Sequence, residues 1–405
     1  MPLEVRSPEP SDPRPTGDTR TEPSRRPRGT ATPRHVHLGV GLLERRPSAR
    51  DPYVQRRERR RRAAALAAAL RDLGVEASLL TDRSERAAER PALPAVQVGP
   101  PRRPRLPLGA TLRHTLGDPD AVLHLHVDGP QDLGTLAAAG LAHRGRTVVH
   151  LHGAVARALR TGGEATLAGL VGAPVEGRLV RRADVVAVGS PRLADELRSA
   201  GARNVLVLPP AATEPPRDLP VPPARPWPDV PGPRIVAVGP LTPRRRSSAL
   251  VGALGRLPSS TNLVLLGTGP DRLAIDRAAH REGVADRVHV VPTASWATVT
   301  AHLAHADVVA SAALVGEDPA ELLLAARLGR PVVTTAVEGL PLLFRDRVDG
   351  RVVPPLDDEA LVAALHETLT DPPAAAERAA SAHRRTLARG WDVVARELLD
   401  ALAVR

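Results

Sequence analysis

Cysteine is missing from all 405 residues, which excludes disulfides, thiolate zinc sites, iron–sulfur clusters and a cysteine nucleophile together. Lysine is missing as well: all 56 basic residues are arginine. With abundant Ala, Pro and Leu, that usage reads as the codon bias of a GC-rich bacterium as much as selection for chemistry. The aromatics are only Tyr53, Trp227, Trp296, Phe344 and Trp391. So few removes the stacking platforms that single-stranded nucleic acid needs, and with them the usual clue to a sugar-binding face. No run of 18 apolar residues exists, so no membrane-spanning helix is expected. The first residues, MPLEVRSPEPSDPRPTG, contain no apolar segment of the secretory type. The expectation is a cytoplasmic protein.

What remains is a soluble globular balance, 42% hydrophobic and 25% charged. The length suits two domains of about 150 to 200 residues. The net charge of +11 is uneven: residues 1–62 hold 16 arginines against 8 acids, which leaves +3 for the rest. A basic segment of this kind reads first as a solvated tail and helix face. The alternative is a polyanion contact, with an anionic membrane surface at the inner face favoured over nucleic acid.

Residues 1–33 carry too few large apolar side chains to offset their ordering entropy and are expected to be disordered. From residue 34 to 208, short apolar strands (HVHLGVGLL, VEASLL, AVLHLHV, TVVHLHG, VVAVGS, VLVLPP) alternate with helical stretches such as 54–73. Residues 209–234 contain 11 prolines and read as a semi-rigid linker. The alternation restarts over 235–375 with RIVAVGP, NLVLLG, RVHVVP, ADVVASAA and PVVTT, and a helical stretch over about 374–403 ends the chain. Continuously apolar strands alternating with helices predict an α/β protein of two parallel sheets, each covered on both faces. Ligands of such sheets bind beyond the carboxyl ends of the strands, in strand-to-helix loops facing a cleft.

Several loops offer chemistry. Arg244, Arg245 and Arg246 follow the first strand of the second domain, where guanidiniums suit a diphosphate; an exposed charge run is the plain alternative. The turn Gly267-Thr268-Gly269-Pro270 precedes a helix whose amides favour phosphate, or is simply a tight turn. In the loop leading to PAELLLAARLG, Asp318 and Glu321 have the spacing of a helix capping box, with Pro319 at the first helical position. Glu317 lies just before that cap and is the better functional carboxylate. Six of the 14 histidines form three His-x-His pairs, His35/His37, His124/His126 and His150/His152. Each pair shares a strand face, yet metal binding is not expected because acidic ligands other than Asp128 are not placed with them.

The segments VAVGPLTPRRR, LVLLGTGPDRLAIDRAAHREGVADRVHVVP, AHADVVASAA, LLLAARLGRPVVTTAVEGLP and DGRVVPPLDDEALVAAL occur in an order that resembles glycosyltransferase family 4. The first half is similar more loosely. The resemblance implies the GT-B architecture, two Rossmann-like domains facing a cleft, with an acceptor domain over 34–208, a nucleotide-sugar domain over 235–375, and a final helix over 376–405. It implies sugar transfer from a nucleotide-sugar donor to an unidentified acceptor, with retention and with no metal or other cofactor. His152 matches the histidine that contacts the donor sugar, Arg245 a diphosphate-binding lysine, and Glu317 falls one residue from a catalytic glutamate position occupied here by Gly316. Arg244, Gly267, Gly269 and Glu321 complete the donor-binding set. Pro240 replaces a second diphosphate cation, Leu324 replaces a ribose-binding glutamate, and residues 46–52 replace a glycine pair. Two readings follow: an active transferase, or a degenerate homologue that binds a ligand or partner without transferring sugar.

Overall fold

The computed structural model describes residues 34–39, 53–82, 95–98, 116–127, 140–151, 177–212, 214, 231–292, 296–315, 319–337 and 339–403. The N-terminal segment 1–33 and most of the proline-rich linker fall outside them.

Two all-parallel sheets carry the chain. The first comprises β1 (Arg34–Gly39), β2 (Ala77–Asp82), β3 (Ala95–Val98), β4 (Ala121–Val127), β5 (Arg146–Leu151), β6 (Val185–Val188) and β7 (Val205–Val207). Its order is β3-β2-β1-β4-β5-β6-β7. The second contains β8 (Arg234–Val238), β9 (Asn262–Leu266), β10 (Val288–Val291), β11 (Val308–Ser311), β12 (Val332–Thr335) and β13 (Arg351–Val353), in the order β10-β9-β8-β11-β12-β13. Each sheet therefore runs outward from one strand, then returns to that strand's other side. The direction of travel reverses between β1 and β4, and again between β8 and β11. Ligands of open α/β sheets bind at such reversals. The short β3, AVQV, was not foreseen from the sequence.

The α/β expectation holds because the central strands are apolar on both faces. Every residue of β4 is buried, and so is every residue of β9. Helix α1 (Tyr53–Asp72) lays Leu66, Ala67 and Leu70 against Val122 and Val148 of the first sheet. Helix α2 (Pro191–Ser199) covers the opposite face with Leu193, Ala194 and Leu197; the Ser190 side chain caps it by accepting from the Leu193 N–H. The second sheet is covered by α3 (Ser247–Leu254), α4 (Arg272–Arg281), α5 (Trp296–Ala304), α6 (Ala320–Arg327), α7 (Leu340–Leu343) and α8 (Asp358–Thr370). Pro319 stands just before α6 rather than inside it. No described helix is long and apolar enough to cross a membrane.

The end of the chain departs from the sequence expectation. The helix expected over about 374–403 is two, α9 (Pro372–Ala388) and α10 (Trp391–Ala403), interrupted at Arg389-Gly390. The break has a physical cause. Ala382 of α9 belongs to the core of the second sheet, whereas Val394, Ala395, Leu398 and Leu402 of α10 join the core beneath α1 on the first. Arg389 fixes the crossing by donating to the Pro209 carbonyl at 3.1 and 2.9 Å and to Glu397 at 3.0 and 2.8 Å. Arg146 and Asn204 then donate to the Leu402 and Ala401 carbonyls near the helix end.

One buried carboxylate organises the turn before β13. Asp349 accepts from the Arg345 guanidinium at 2.7 and 2.9 Å, from the Arg345 N–H at 3.1 Å, and from the Ser381 hydroxyl of α9 at 2.8 Å. Burial works against its charge, but these donors outweigh it and hold the carboxyl at about 2.

Candidate active site

The reversal point of the second sheet is built from three loops, after β8, β9 and β11. After β8 the chain passes Gly239, Pro240 and Leu241 and reaches Arg244, Arg245 and Arg246 before α3 begins. Arg245 does not point to solvent. Its side chain is only 7% exposed, and it folds back over Gly239, where a methyl group would meet its guanidinium carbon at 2.9 Å. The Arg245 Nη1 donates to Oε1 of Glu321, in the first turn of α6, as a buried ion pair. Glu321 thus directs its carboxylate across to the β8 loop. The Asp318 half of the expected capping box lies outside the described residues. Arg246 takes a left-handed backbone (φ 51°) at the start of α3 and pairs with Asp358 at 2.7 Å.

The two glycines of the Gly-Thr-Gly-Pro turn have a steric reason to be glycine. A methyl group on Gly267 would lie 1.9 Å from the Gly239 carbonyl oxygen, and one on Gly269 would lie 2.2 Å from that of Leu241. The loops are laced together at this closeness: Gly239 N–H donates to the Leu266 carbonyl at 3.0 Å, and Leu241 N–H to that of Thr268 at 2.9 Å. The Asp271 N–H returns a bond to the Leu241 carbonyl at 3.0 Å, and burial pushes the Asp271 carboxyl upward. On the other flank, Leu314 N–H donates to the Arg244 carbonyl at 2.8 Å, and Thr335 Oγ1 to that of Ala313 at 2.7 Å.

These contacts leave a small, shallow recess, open to solvent, over the ends of β8 and β11. Gly239, Pro240, Arg245, Ser247, Ser311 and Ala312 are among its lining residues. Its polar equipment is a guanidinium, two hydroxyls and the start of α3, an array suited to a negatively charged group. Sequence reasoning did not single out Gly239 or the run Ala310-Ser311-Ala312. Their small size was the available signal, because only small residues leave a recess between adjacent strand ends.

Arg244, Arg245, Gly267, Gly269 and Glu321 are therefore brought into one neighbourhood. His152, Glu317, Gly316 and the loop 46–52 lie outside the described residues. Leu324 is fully buried and packs in the core with Val236, Val264 and Leu266. It offers that neighbourhood no polar atom.

Comparison with known proteins follows the same division of the chain. Residues 232–371 match the family model described as glycosyl transferases group 1, and residues 59–211 match that of a glycosyl transferase 4-like domain. A D-inositol 3-phosphate glycosyltransferase of Xylanimonas cellulosilytica is 33% identical over 181 residues, 43% of this chain and 43% of that protein. A protein of the same description from Mycolicibacterium smegmatis is 32% identical over 155 residues, 37% and 36% of the two chains. The matches thus span less than half the length of these curated relatives. Among solved structures, sucrose-phosphate synthase from Thermosynechococcus elongatus superposes with a TM-score of 0.67 at 20% identity, over 91% of this chain and 98% of that one. HepE of Anabaena in complex with UDP and glucose gives 0.66 at 16%, over 92% and 100%. At these identities the likeness establishes the fold, two Rossmann-like sheets in the GT-B arrangement.

Proposed function

We propose, for a chain that belongs to the group 1 glycosyltransferases, that it transfers a sugar with retention from a nucleoside-diphosphate sugar to an acceptor carried by the first lobe. The observation that supports this most is Arg245, a buried arginine folded over Gly239 into a recess at the reversal of the second sheet. In this reading the donor diphosphate enters the recess and takes over the Arg245 guanidinium from Glu321. Ser247 and the first amides of α3 face the same anion. Charge develops on the diphosphate as the glycosidic bond to it breaks. A guanidinium already held in a dry position stabilises that charge without reorganising. Arg244 adds charge at the rim, Gly267 and Gly269 keep the loops close, and His152 and Glu317 meet the donor sugar. The reaction as read here calls for no metal or other cofactor.

A panel of UDP-, GDP- and ADP-sugars tests the reading. One donor should raise the melting temperature and be hydrolysed slowly without acceptor, and Arg245→Ala should abolish both effects. If no donor does either, the reading fails. Glu321→Gln should bind the free nucleoside diphosphate about tenfold more tightly, because the neutral amide competes less for Arg245.

A second reading has its own support. Glu321 already pairs with Arg245, and Leu324 is committed to the core, so two positions expected to meet the donor are engaged within the chain. On this view the protein binds a nucleotide, ligand or partner without turnover. Product formation that vanishes in both His152→Ala and Glu317→Ala would eliminate it. The arginine-rich segment 1–62 supports a peripheral contact with an anionic membrane face in either case, weakening steeply with added salt.

A further inference from the structure

The first sheet also reverses direction, between β1 and β4, and three histidines gather beside that point, on β4 and β5. His124 and His126 lie on β4 two residues apart, hence on one face. His150 of β5 is the register partner of His126 and shares that face. All three are buried, at 0, 6 and 5% exposure. Their rings stand nearly parallel, with centroids 4.4 Å apart for His124 and His126 and 5.6 Å from each of these to His150. One ring nitrogen from each lies within 4.8 Å of the other two. The sequence displayed three separate His-x-His pairs; the fold draws a triad from two of them.

Three imidazoles this close and this dry cannot all carry protons, because like charges at such separations in a low-dielectric interior are mutually costly. Imidazole ligates metal through an unprotonated ring nitrogen. The face of α1 turned to this sheet includes Ala63 and Ala67, which are small and buried. A purely apolar filling would have been simpler for a parallel sheet, whose strands usually read as Val, Ile and Leu throughout.

We infer that His124, His126 and His150 form a binding site for a divalent transition-metal cation of the zinc class. Neutral imidazole suits Zn²⁺, Co²⁺, Ni²⁺ and Cu²⁺, whereas Mg²⁺ and Ca²⁺ require oxygen ligands. Zinc–nitrogen bonds of about 2.0–2.1 Å put tetrahedral ligand atoms roughly 3.3 Å apart. The nitrogens have to approach from within 4.8 Å, which rotation about the side-chain torsions supplies as the parallel rings tilt toward a common point. Three protein ligands leave a fourth position for water or another ligand. The site lies at the carboxyl ends of β4 and β5 and is independent of the donor reading, which concerns the second sheet.

The test uses the full chain without a polyhistidine tag, stripped with a chelator and titrated with Co²⁺ and then Zn²⁺. One equivalent of Co²⁺ should develop the intense visible bands of a four-coordinate ion. Zn²⁺ should displace it and raise the melting temperature. Glutamine substitution at His126 or His150 should weaken Zn²⁺ binding by more than about 100-fold, beyond the 10–100-fold that loss of an outer partner costs. His366→Gln, at an exposed helix position, should change nothing. Should the glutamine variants fail to fold, hydrogen exchange at the imidazole C2–H of the wild-type protein carries the test. Zn²⁺ should slow it at His124, His126 and His150 and leave His280 and His366 unaffected. Absence of the cobalt bands, binding unchanged in both folded glutamine variants, or exchange slowed only at other histidines would each overturn the proposal.

Discussion

The two sheets reverse their strand order in the same way and carry opposite chemistry beside the reversal. In the second, backbone loops approach so closely that Gly267 and Gly269 admit no side chain, and the buried Arg245 is matched by a carboxylate. In the first, three imidazoles lie one strand along from the reversal, on β4 and β5. The same strand order thus carries different chemistry in the two sheets. A permanent charge inside the second lobe must always have a partner, whether Glu321 or a ligand. Imidazoles carry no permanent charge, so those of the first lobe require no counter-ion. The lobes should respond differently when one of these residues is removed.

The largest expected effect comes from splitting the ion pair. Arg245→Leu leaves Glu321 as a buried carboxylate without its guanidinium, and should cost about 3–5 kcal/mol in urea unfolding. Replacing both partners, with Arg245→Met and Glu321→Leu, should recover most of that loss, since well-packed apolar groups commonly match a buried pair. His124→Leu in the first lobe, assayed free of metal, should cost less than about 1.5 kcal/mol, as a swap of similar volume does. Equal losses at Arg245 and His124 would erase the contrast between the lobes.

Next comes the backbone. Gly267→Ala drives a methyl group to 1.9 Å from the Gly239 carbonyl. The β8 loop must then move, at about 2–3 kcal/mol. Because that loop carries Arg245, nucleotide-dependent stabilisation should fall along with the melting temperature. Gly283→Ala is the reference, since a methyl group there meets nothing within 4 Å although its φ of +66° still carries strain.

What could be read from the sequence follows from these same physical differences. Strands such as AVLHLHV and NLVLL were legible because burial on both faces demands an unbroken apolar run. The break at Arg389-Gly390 was not, because helical periodicity continues through it. The choice between two sheets is made by tertiary packing. The arginine run after β8 was visible as charge, but its partner Glu321 lies 76 residues further on. Locally, Glu321 had a sufficient explanation as half of a capping box. The histidines were legible two at a time along each strand. Only the β4–β5 register brings His150 beside His126.

The Asp349 cluster separates acid sensitivity of the second lobe from that of the first. Its folded value of about 2 lies below the ordinary 3.8. It therefore contributes stability in full above about pH 4 and loses it as the pH falls toward 2, roughly 2 kcal/mol in all. Asp349→Asn should lower stability at neutral pH and flatten the acid limb in that window. An unchanged limb would assign acid unfolding to groups elsewhere.

The smallest effect lies where the lobes touch. The Arg61 guanidinium of α1 sits 5.8 Å from the ring centroid of Trp296, which is almost fully buried at the start of α5. A cation over an indole contributes about 0.5–1 kcal/mol when partly exposed. Arg61→Ala should lower stability by about that amount. Because α1 covers the first sheet and α5 the second, the contact couples two sheets that otherwise differ in kind. If the lobes unfold as one unit, Arg61→Ala shifts a single transition without splitting it. If the coupling is weak, calorimetry resolves two transitions in the variant, and Arg245→Leu then moves only the one that belongs to the second lobe.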